Sequence, residues 1–138
     1  PSSIIEPLLV SENYSKAKEI LRAKKYSHFI STDYKKENQN HDILSKILCA
    51  IVMNNNDNEG IRLGVDDYAK HSDIEKEPLF AWMFFYWAFV LLKDQKYINL
   101  SYDYLMSFLD FIPDDCKESF LKTTITELIV KAYNASNN

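Results

Sequence analysis

The chain has 138 residues, of which 46% are hydrophobic and 26% are charged, as in a folded domain with one continuous core. It holds only two glycines and four prolines, too few for the many turns of a β-sandwich or barrel. The net charge of -4 argues against a dominant role in binding nucleic acids, whose binding modules normally carry a basic face. The composition therefore predicts an all-α protein.

The first third of the sequence predicts two or three short helices. A short apolar segment covers residues 4–10, and the stretch "SENYSKAKEILRAKKY" that follows predicts a helix beginning near Ser11. The apolar stripe of this second helix is formed by Tyr14, Ala17, Ile20 and Leu21. The next stretch, "SHFISTDYKK", predicts only a short helix, because its Ser and Thr residues weaken helix propensity. The polar run "ENQNHD" then breaks the pattern.

Two further helices are predicted in the middle of the chain. Apolar residues repeat every three or four positions in "ILSKILCAIVM", and Asp42 stands where it could cap that helix. Residues 54–60 are polar and predict a turn. The helix after this turn has its apolar side chains at Ile61, Val65, Tyr68 and Ala69.

The stretch "LFAWMFFYWAFVLL", residues 79–92, predicts a buried helix. Ser72 and Glu75 have the spacing of a capping box, Pro78 suits the first turn, and the helix should end near Lys93. Fourteen apolar residues are too few for a membrane span, which needs roughly 20. A helix that is apolar all round must be covered all round, so we expect a central core helix with the polar tips of Trp82, Tyr86 and Trp87 near the core edge.

Two more helices are predicted at the carboxyl end. The first has an apolar stripe formed by Tyr97, Ser101, Tyr104, Leu105, Phe108 and Leu109, and Pro113 closes it. The second begins at the box-like pair Asp115 and Glu118, and its apolar face consists of Phe120, Leu121, Ile125, Leu128, Ile129 and Ala132. The final "NASNN" should fray. The whole pattern predicts an all-α fold of six to seven helices, in antiparallel hairpins stacked as a short solenoid or a compact bundle.

The predicted helix pair on either side of Asp94 resembles a tetratricopeptide repeat. The first-helix positions are occupied by Trp82, Phe85, Tyr86 and Phe89, and the second-helix positions, after three extra residues, by Ser101, Leu105, Phe108 and Pro113. The earlier stretch "YSKAKEIL" resembles the second helix of another unit. Tyr86 departs from the family, which places Gly or Ala there for close helix contact. The resemblance covers about half of the chain and implies a scaffold that binds a peptide or a partner helix in a concave groove.

Basic residues near the amino terminus indicate a candidate partner surface. Residues 1–50 carry eight Lys or Arg and six acids, whereas the remainder carries eight and fourteen. The candidate binding residues are Lys18, Arg22, Lys25, Tyr26, Lys35 and Lys36. An acidic protein segment would suit this charge. Two alternatives stay open: a solvated helix face, and a nucleic-acid interface in which aromatic rings stack on bases.

Motifs for metal binding or catalysis are weak in this sequence. Residues 55–66 place Asn55, Asp57 and Glu59 at ligand positions of a calcium loop, but the loop should start with Asp and end with Glu rather than Asp66. We favour a solvated turn there. Cys49 and Cys116 lack an adjacent base, so we expect two reduced structural thiols. We also expect no enzymatic activity, no cofactor and no metal.

These patterns support one leading hypothesis: a single all-helical domain over residues 1–138 that acts as a protein–protein interaction module. A nucleic-acid-binding helical domain that uses the basic amino-terminal face is the alternative. The chain begins at Pro1 without an initiator Met, so an excised fragment or a processed form stays open. We expect an intracellular protein, cytoplasmic or nuclear, because the sequence has two unpaired cysteines and no signal peptide.

Overall fold

A computed structural model of the chain describes residues 2–11, 13–21, 40–71, 74 and 77–137, and these ranges contain helices and no strand. The eight helices are α1 (Ser2–Val10), α2 (Tyr14–Leu21), α3 (Asn40–Met53), α4 (Glu59–Ala69), α5 (Pro78–Leu92), α6 (Gln95–Leu109), α7 (Asp114–Leu121) and α8 (Thr124–Ser136). The predicted all-α class with packed, antiparallel helix pairs is confirmed. The short helix predicted within residues 27–36 and the capping box of Ser72 and Glu75 lie outside the described residues.

The chain divides into two compact units, residues 1–71 and residues 72–138. Unit 1 contains α1 to α4, and unit 2 contains α5 to α8. The expectation of one domain over the whole chain stays a prediction.

In unit 1, helix α3 contacts α1, α2 and α4. The apolar side chains whose spacing predicted these helices face inward, since Ala17, Ile47 and Val65 are completely buried. Asp42 is not a cap as predicted, because α3 already begins at Asn40 and Asp42 lies in its first turn. A carboxylate in this turn is still favourable, because the amino end of a helix carries a partial positive charge.

In unit 2, helix α5 has the bounds that its sequence predicts. It begins at Pro78, and Lys93 ends it in the left-handed conformation with φ of 56°. The five consecutive residues 84–88 are all buried, and at 100° per residue they sweep the full circumference of the helix. Burial all round is therefore confirmed for residues 84–88 but not for the whole predicted stretch 79–92, since Leu79 is 57% exposed and residues 89–92 are half-buried. No helix within the described ranges is both long and apolar enough to cross a membrane.

Trp87 does not place its polar tip near the core edge as expected. Both Trp82 and Trp87 are buried, and the indole N–H of Trp87 donates no hydrogen bond to any described residue. An unpaired indole N–H in the core costs free energy, so Trp87 is held there by the packing of its ring, which lies edge-on to Tyr86 at 5.0 Å.

Helix α6 contacts α5 on one side and α8 on another. Asp94 caps α6 by accepting a hydrogen bond from the main-chain N–H of Lys96 at 3.1 Å. The fully buried residues of α6 are Tyr97, Ile98, Ser101 and Leu105. Three of them, Tyr97, Ser101 and Leu105, belong to the predicted stripe and pack inward as the helical spacing requires, whereas Ile98 was not among the predicted positions.

The single helix predicted after Pro113 is in fact two helices, α7 and α8. The hydroxyl of Thr126 lies 2.9 Å from the carbonyl oxygens of Phe120 and Thr123, and the hydroxyl of Thr123 also bonds to Phe120. These hydroxyls satisfy main-chain groups at the end of α7, so the chain turns there and starts α8. Helix α7 begins at Asp114, which places Asp115 in its first turn and not at a cap.

The carboxyl end does not fray as predicted, because α8 continues to Ser136 and Asn137 is anchored. The side-chain amide of Asn137 donates to the carbonyl oxygen of Tyr133 at 2.9 Å and to Asn99 of α6 at 3.3 Å. Tyr133 also stacks on Tyr102 of α6, with ring centroids 3.7 Å apart. These contacts attach the end of α8 to α6.

Candidate functional site

Only one of the six predicted partner-binding residues lies in the described part of the chain. Lys18 is exposed in the last turn of α2. Two residues earlier, Lys16 forms an exposed ion pair with Glu19 at 3.7 Å. The other five, which lie outside the described residues, are Arg22, Lys25, Tyr26, Lys35 and Lys36. The basic surface therefore stays a prediction.

The residues of the candidate calcium loop, which the sequence favoured as a solvated turn, do not converge on one point. Helix α4 begins at Glu59, so Glu59 and Asp66 lie two helical turns apart, about 10 Å along the axis. The carboxylate of Asp57 accepts a hydrogen bond from the N–H of Glu59 at 3.4 Å, and Arg62 approaches Glu59 at 3.6 Å. Within the described ranges, no group of three or more His, Cys, Asp or Glu is placed to hold a metal ion.

The two cysteines are unpaired, as predicted, but they lie in different environments. Cys49 is buried in α3, and burial raises the pKa of its thiol to about 11. Cys116 is exposed on α7, so the expectation of a structural core thiol is wrong at this position. Its helix buries no residue, and the apolar face predicted there begins only at Phe120.

A groove with a volume of about 380 Å³ opens on unit 2, between the amino end of α5 and the carboxyl-terminal half of α6. Its lining residues are Pro78, Tyr104, Ser107, Phe108 and Phe111. This volume is within the range of roughly 300 to 1,000 Å³ that ligand pockets occupy. We call this feature the α5–α6 groove.

The floor of the α5–α6 groove is fixed to the core. The ring of Tyr104 stacks on the buried ring of Phe85, with centroids 6.0 Å apart and planes 9° apart. Phe108 lies 5.0 Å from Trp82 and 5.7 Å from Phe120 between ring centroids. Because these partners belong to α5 and α7, two helices hold the floor rings in place.

The rim of the groove carries an exposed aromatic side chain, Phe111, which is 83% accessible to solvent. The main-chain N–H of Phe111 donates to the carbonyl oxygen of Phe108 at 2.9 Å, and Ile112 donates to Leu109 at 3.0 Å. These bonds form a defined turn after α6. The exposed ring is therefore presented by ordered backbone.

Carboxylates border the groove. Asp103 and Asp110 lie four residues before and three residues after Ser107, so helical spacing puts all three on one face of α6. Both aspartates are exposed, as is Glu77, which directly precedes Pro78 of the lining. These three carboxylates form no ion pair with any described residue. Lys117, the first basic residue after the groove, is bonded to Asp114 at 2.8 Å, and this bond, with a smaller contribution from the charge of Asp110, raises the pKa of Lys117.

The sequence did not identify this groove. Tyr104 and Phe108 were assigned to the apolar stripe of α6, and their inner faces do pack against α5. Phe111 continues that stripe by three residues past Phe108, and this spacing was the available signal. The position of the turn after α6 leaves the ring of Phe111 outside the core.

No family model, curated protein or solved structure matches the chain. The interpretation of the α5–α6 groove therefore rests on its geometry. It combines an apolar floor held by the core, an exposed aromatic ring and an acidic border. This arrangement suits binding of an apolar group.

Proposed function

We propose that the chain is a protein–protein interaction module that binds a segment of another protein in the α5–α6 groove. The observation that carries this proposal is the exposed ring of Phe111 beside a preformed apolar floor. At protein interfaces, a few large side chains that pack into apolar pockets contribute most of the binding energy.

The energetics of the groove favour this role. Burying the exposed ring of Phe111 under a partner would contribute about 1.5–3 kcal/mol. Tyr104 and Phe108 are already held by Phe85 and Trp82, so a partner would lose little free energy in ordering them. Preformed sites of this kind bind with less conformational cost than sites that must first be assembled.

We further propose that the α5–α6 hairpin is a degenerate tetratricopeptide-like unit. Three features support this: Trp82 packs against Phe108, Ser101 supplies a small buried residue at the helix contact, and the two helices are antiparallel neighbours. The α1–α2 pair, where Ala17 is completely buried, is the second candidate unit. Repeats of this type present surfaces to peptides or partner helices.

The test of the proposed function compares two matched variants of the full chain in quantitative affinity capture. Phe111→Ala removes the exposed ring of the groove, whereas Leu63→Ala removes an exposed apolar side chain of α4, which is 62% accessible. We expect at least one captured protein to be lost with Phe111→Ala and kept with Leu63→Ala. If both variants retain every partner of the wild type, the groove is not the binding site.

The basic residues of the first unit are a second candidate surface for the same function. Charge reversal of Arg22 and Lys25 should weaken capture of an acidic partner and leave the domain folded. A gel shift with the same variants examines the nucleic-acid alternative. Salt-sensitive binding at micromolar protein that disappears on charge reversal would favour nucleic acid over protein at that surface.

A further inference from the structure

We infer that the segment bound in the α5–α6 groove carries one large apolar side chain flanked by Lys or Arg residues. This inference rests on the proposed function, because it specifies the chemistry of the partner for the same groove. The apolar floor and Phe111 select the central side chain. The carboxylates on the border select the basic flanks.

Helix geometry places the carboxylates around the groove. Asp103, Ser107 and Asp110 share one face of α6, and Ser107 lines the groove, so the two carboxylates stand above and below it along the helix. Glu77 adds a third carboxylate at the amino end of α5. A segment that places its apolar residue on the floor would pass these groups on both sides.

Among the described residues, Lys117 is the one base whose charge is felt at this border, through Asp110, and its hydrogen bond goes to Asp114. Residues 72–138 contain ten acids and six bases. Four of those bases already form ion pairs, which are Lys96 with Asp94, Lys117 with Asp114, Lys122 with Glu118, and Lys131 with Glu127. The acidic excess of the unit is therefore available to an incoming cationic segment and would also speed its association at low salt.

The same charges argue against a second copy of this chain as the occupant. In a two-fold dimer the same patch faces itself, so the carboxylates of one groove would approach those of the other. Like charges brought together at an interface oppose binding. A basic partner segment suits the groove better than self-association does.

The first part of the experiment selects peptides from a displayed random library on the immobilised full chain. We expect peptides enriched on the wild type to share an aromatic or large aliphatic residue flanked by Lys or Arg, and to be lost on Phe111→Ala. Enriched peptides that depend on Phe111 but carry neutral or acidic flanks would overturn the charge inference and leave the proposed function standing. The absence of any Phe111-dependent peptide would overturn both.

The second part measures affinity by fluorescence anisotropy with three labelled synthetic peptides. The first has a Trp between Lys residues, the second has Glu in place of each Lys, and the third has Ser in place of Trp. We expect only the first to bind the wild type, and to bind more weakly as salt is raised. Equal affinity for the Lys-flanked and Glu-flanked peptides would overturn the inference.

Charge reversals at the groove border and on α8 test whether the preference for Lys-flanked peptides comes from the groove. Asp103→Lys and Asp110→Lys together should weaken the Lys-flanked peptide at least about fivefold, since each exposed charge pair alters binding by a modest factor. Glu127→Lys reverses one charge on α8, which packs against the other side of α6 through Tyr102 and Tyr133, and should leave the affinity within about twofold of wild type. Sedimentation of the free chain tests the second-copy alternative, and a dimer lost on Phe111→Ala would contradict the inference.

Discussion

The hydroxyl of Ser101 donates a hydrogen bond of 2.7 Å to the main-chain carbonyl oxygen of Trp82. This bond joins α6 to α5 at a point where both residues are buried. The distance between two packed helices depends on the side chains at their contact, so a small residue at position 101 permits a close approach. Trp82 in turn contacts Phe108 of the groove floor. The separation of the two helices therefore sets the position of that floor.

Substitution of Ser101 should measure how much this contact stabilises unit 2. Ser101→Ala removes the hydrogen bond and should lower the free energy of unfolding by about 0.5–1.5 kcal/mol. Ser101→Leu also overfills the helix contact, at a cost of about 1–3 kcal/mol. Chemical denaturation provides the measurement. Ser107→Leu, on the exposed side of the same helix, is the control. If both Leu variants lose the same free energy of unfolding, the helix contact at Ser101 is not tight.

A charge placed in the middle of α5 should abolish folding. Ala88 is completely buried, so Ala88→Asp would place an unpaired carboxylate in the core, which costs several kcal/mol against a total stability of about 5–15 kcal/mol. Phe85→Asp should act in the same way, since Phe85 is also fully buried. Leu79→Asp, on an exposed position of the same helix, should fold normally. Circular dichroism and thermal melting distinguish these outcomes, and a cooperative melt of Ala88→Asp near that of Leu79→Asp would refute the prediction.

The break between α7 and α8 should depend on the hydroxyl of Thr126. Thr126→Val keeps the shape of the side chain but loses the bonds to Phe120 and Thr123, so we expect the free energy of unfolding to fall by about 1–2 kcal/mol. Thr124→Val changes an exposed threonine at the first position of α8 and should alter stability by less than about 0.5 kcal/mol. Urea titration of both variants gives the comparison. If both variants have similar free energies of unfolding, the break between α7 and α8 does not depend on the buried hydroxyl of Thr126.

The buried thiol of Cys49 predicts a loss of stability at alkaline pH. Burial raises the pKa of this thiol from 9.0 to about 11, so the folded chain keeps the proton over a range in which the unfolded chain releases it. The stabilising contribution is complete below pH 9 and is lost as the pH rises toward 11.

Comparison of variants isolates this contribution from other groups that titrate in the same range. Between about pH 8 and about pH 10, the wild type should lose up to about 1 kcal/mol more unfolding free energy than Cys49→Ala does. Cys116→Ala removes the exposed thiol and should follow the wild type. If the free energy of unfolding falls equally with pH in the wild type and in Cys49→Ala, the burial assigned to the Cys49 thiol is contradicted.

The long apolar helix was the most predictable part of the fold. Pro78 suits only the first turn of a helix, and the residues after it are apolar without interruption until Lys93. Both signals are local and strong, so the bounds of α5 followed from them. The helices α4 and α6 were predicted for a similar reason, because polar turns separate their apolar stripes.

The end of the chain was less predictable because its structure depends on contacts between helices. The apolar spacing of Phe120, Ile125 and Leu128 continues across the break between α7 and α8, so periodicity alone gives one helix. The break comes from the Thr123 and Thr126 hydroxyls, which also occur within ordinary helices. Asn137 is ordered by Asn99, a partner that no local sequence rule identifies.

The α5–α6 groove could be predicted only in part. The sequence placed Tyr104 and Phe108 on one helix face, but a stripe does not reveal which ring edges stay accessible. The exposure of Phe111 depends on the exact end of α6 and on the turn that follows. The predicted basic surface cannot be compared with the groove, since all its residues except Lys18 lie outside the described ranges.

Both tryptophans of the chain belong to α5, so tryptophan fluorescence, excited selectively over the tyrosines, reports on unit 2 alone. Circular dichroism, in contrast, records the helices of both units. If the two signals change together during denaturation, residues 1–138 unfold as one cooperative domain, whereas separate transitions would mean that the two units unfold independently. Because Trp82 touches Phe108 of the groove floor, its emission should also change when a ligand binds, which would provide an assay that needs no added label.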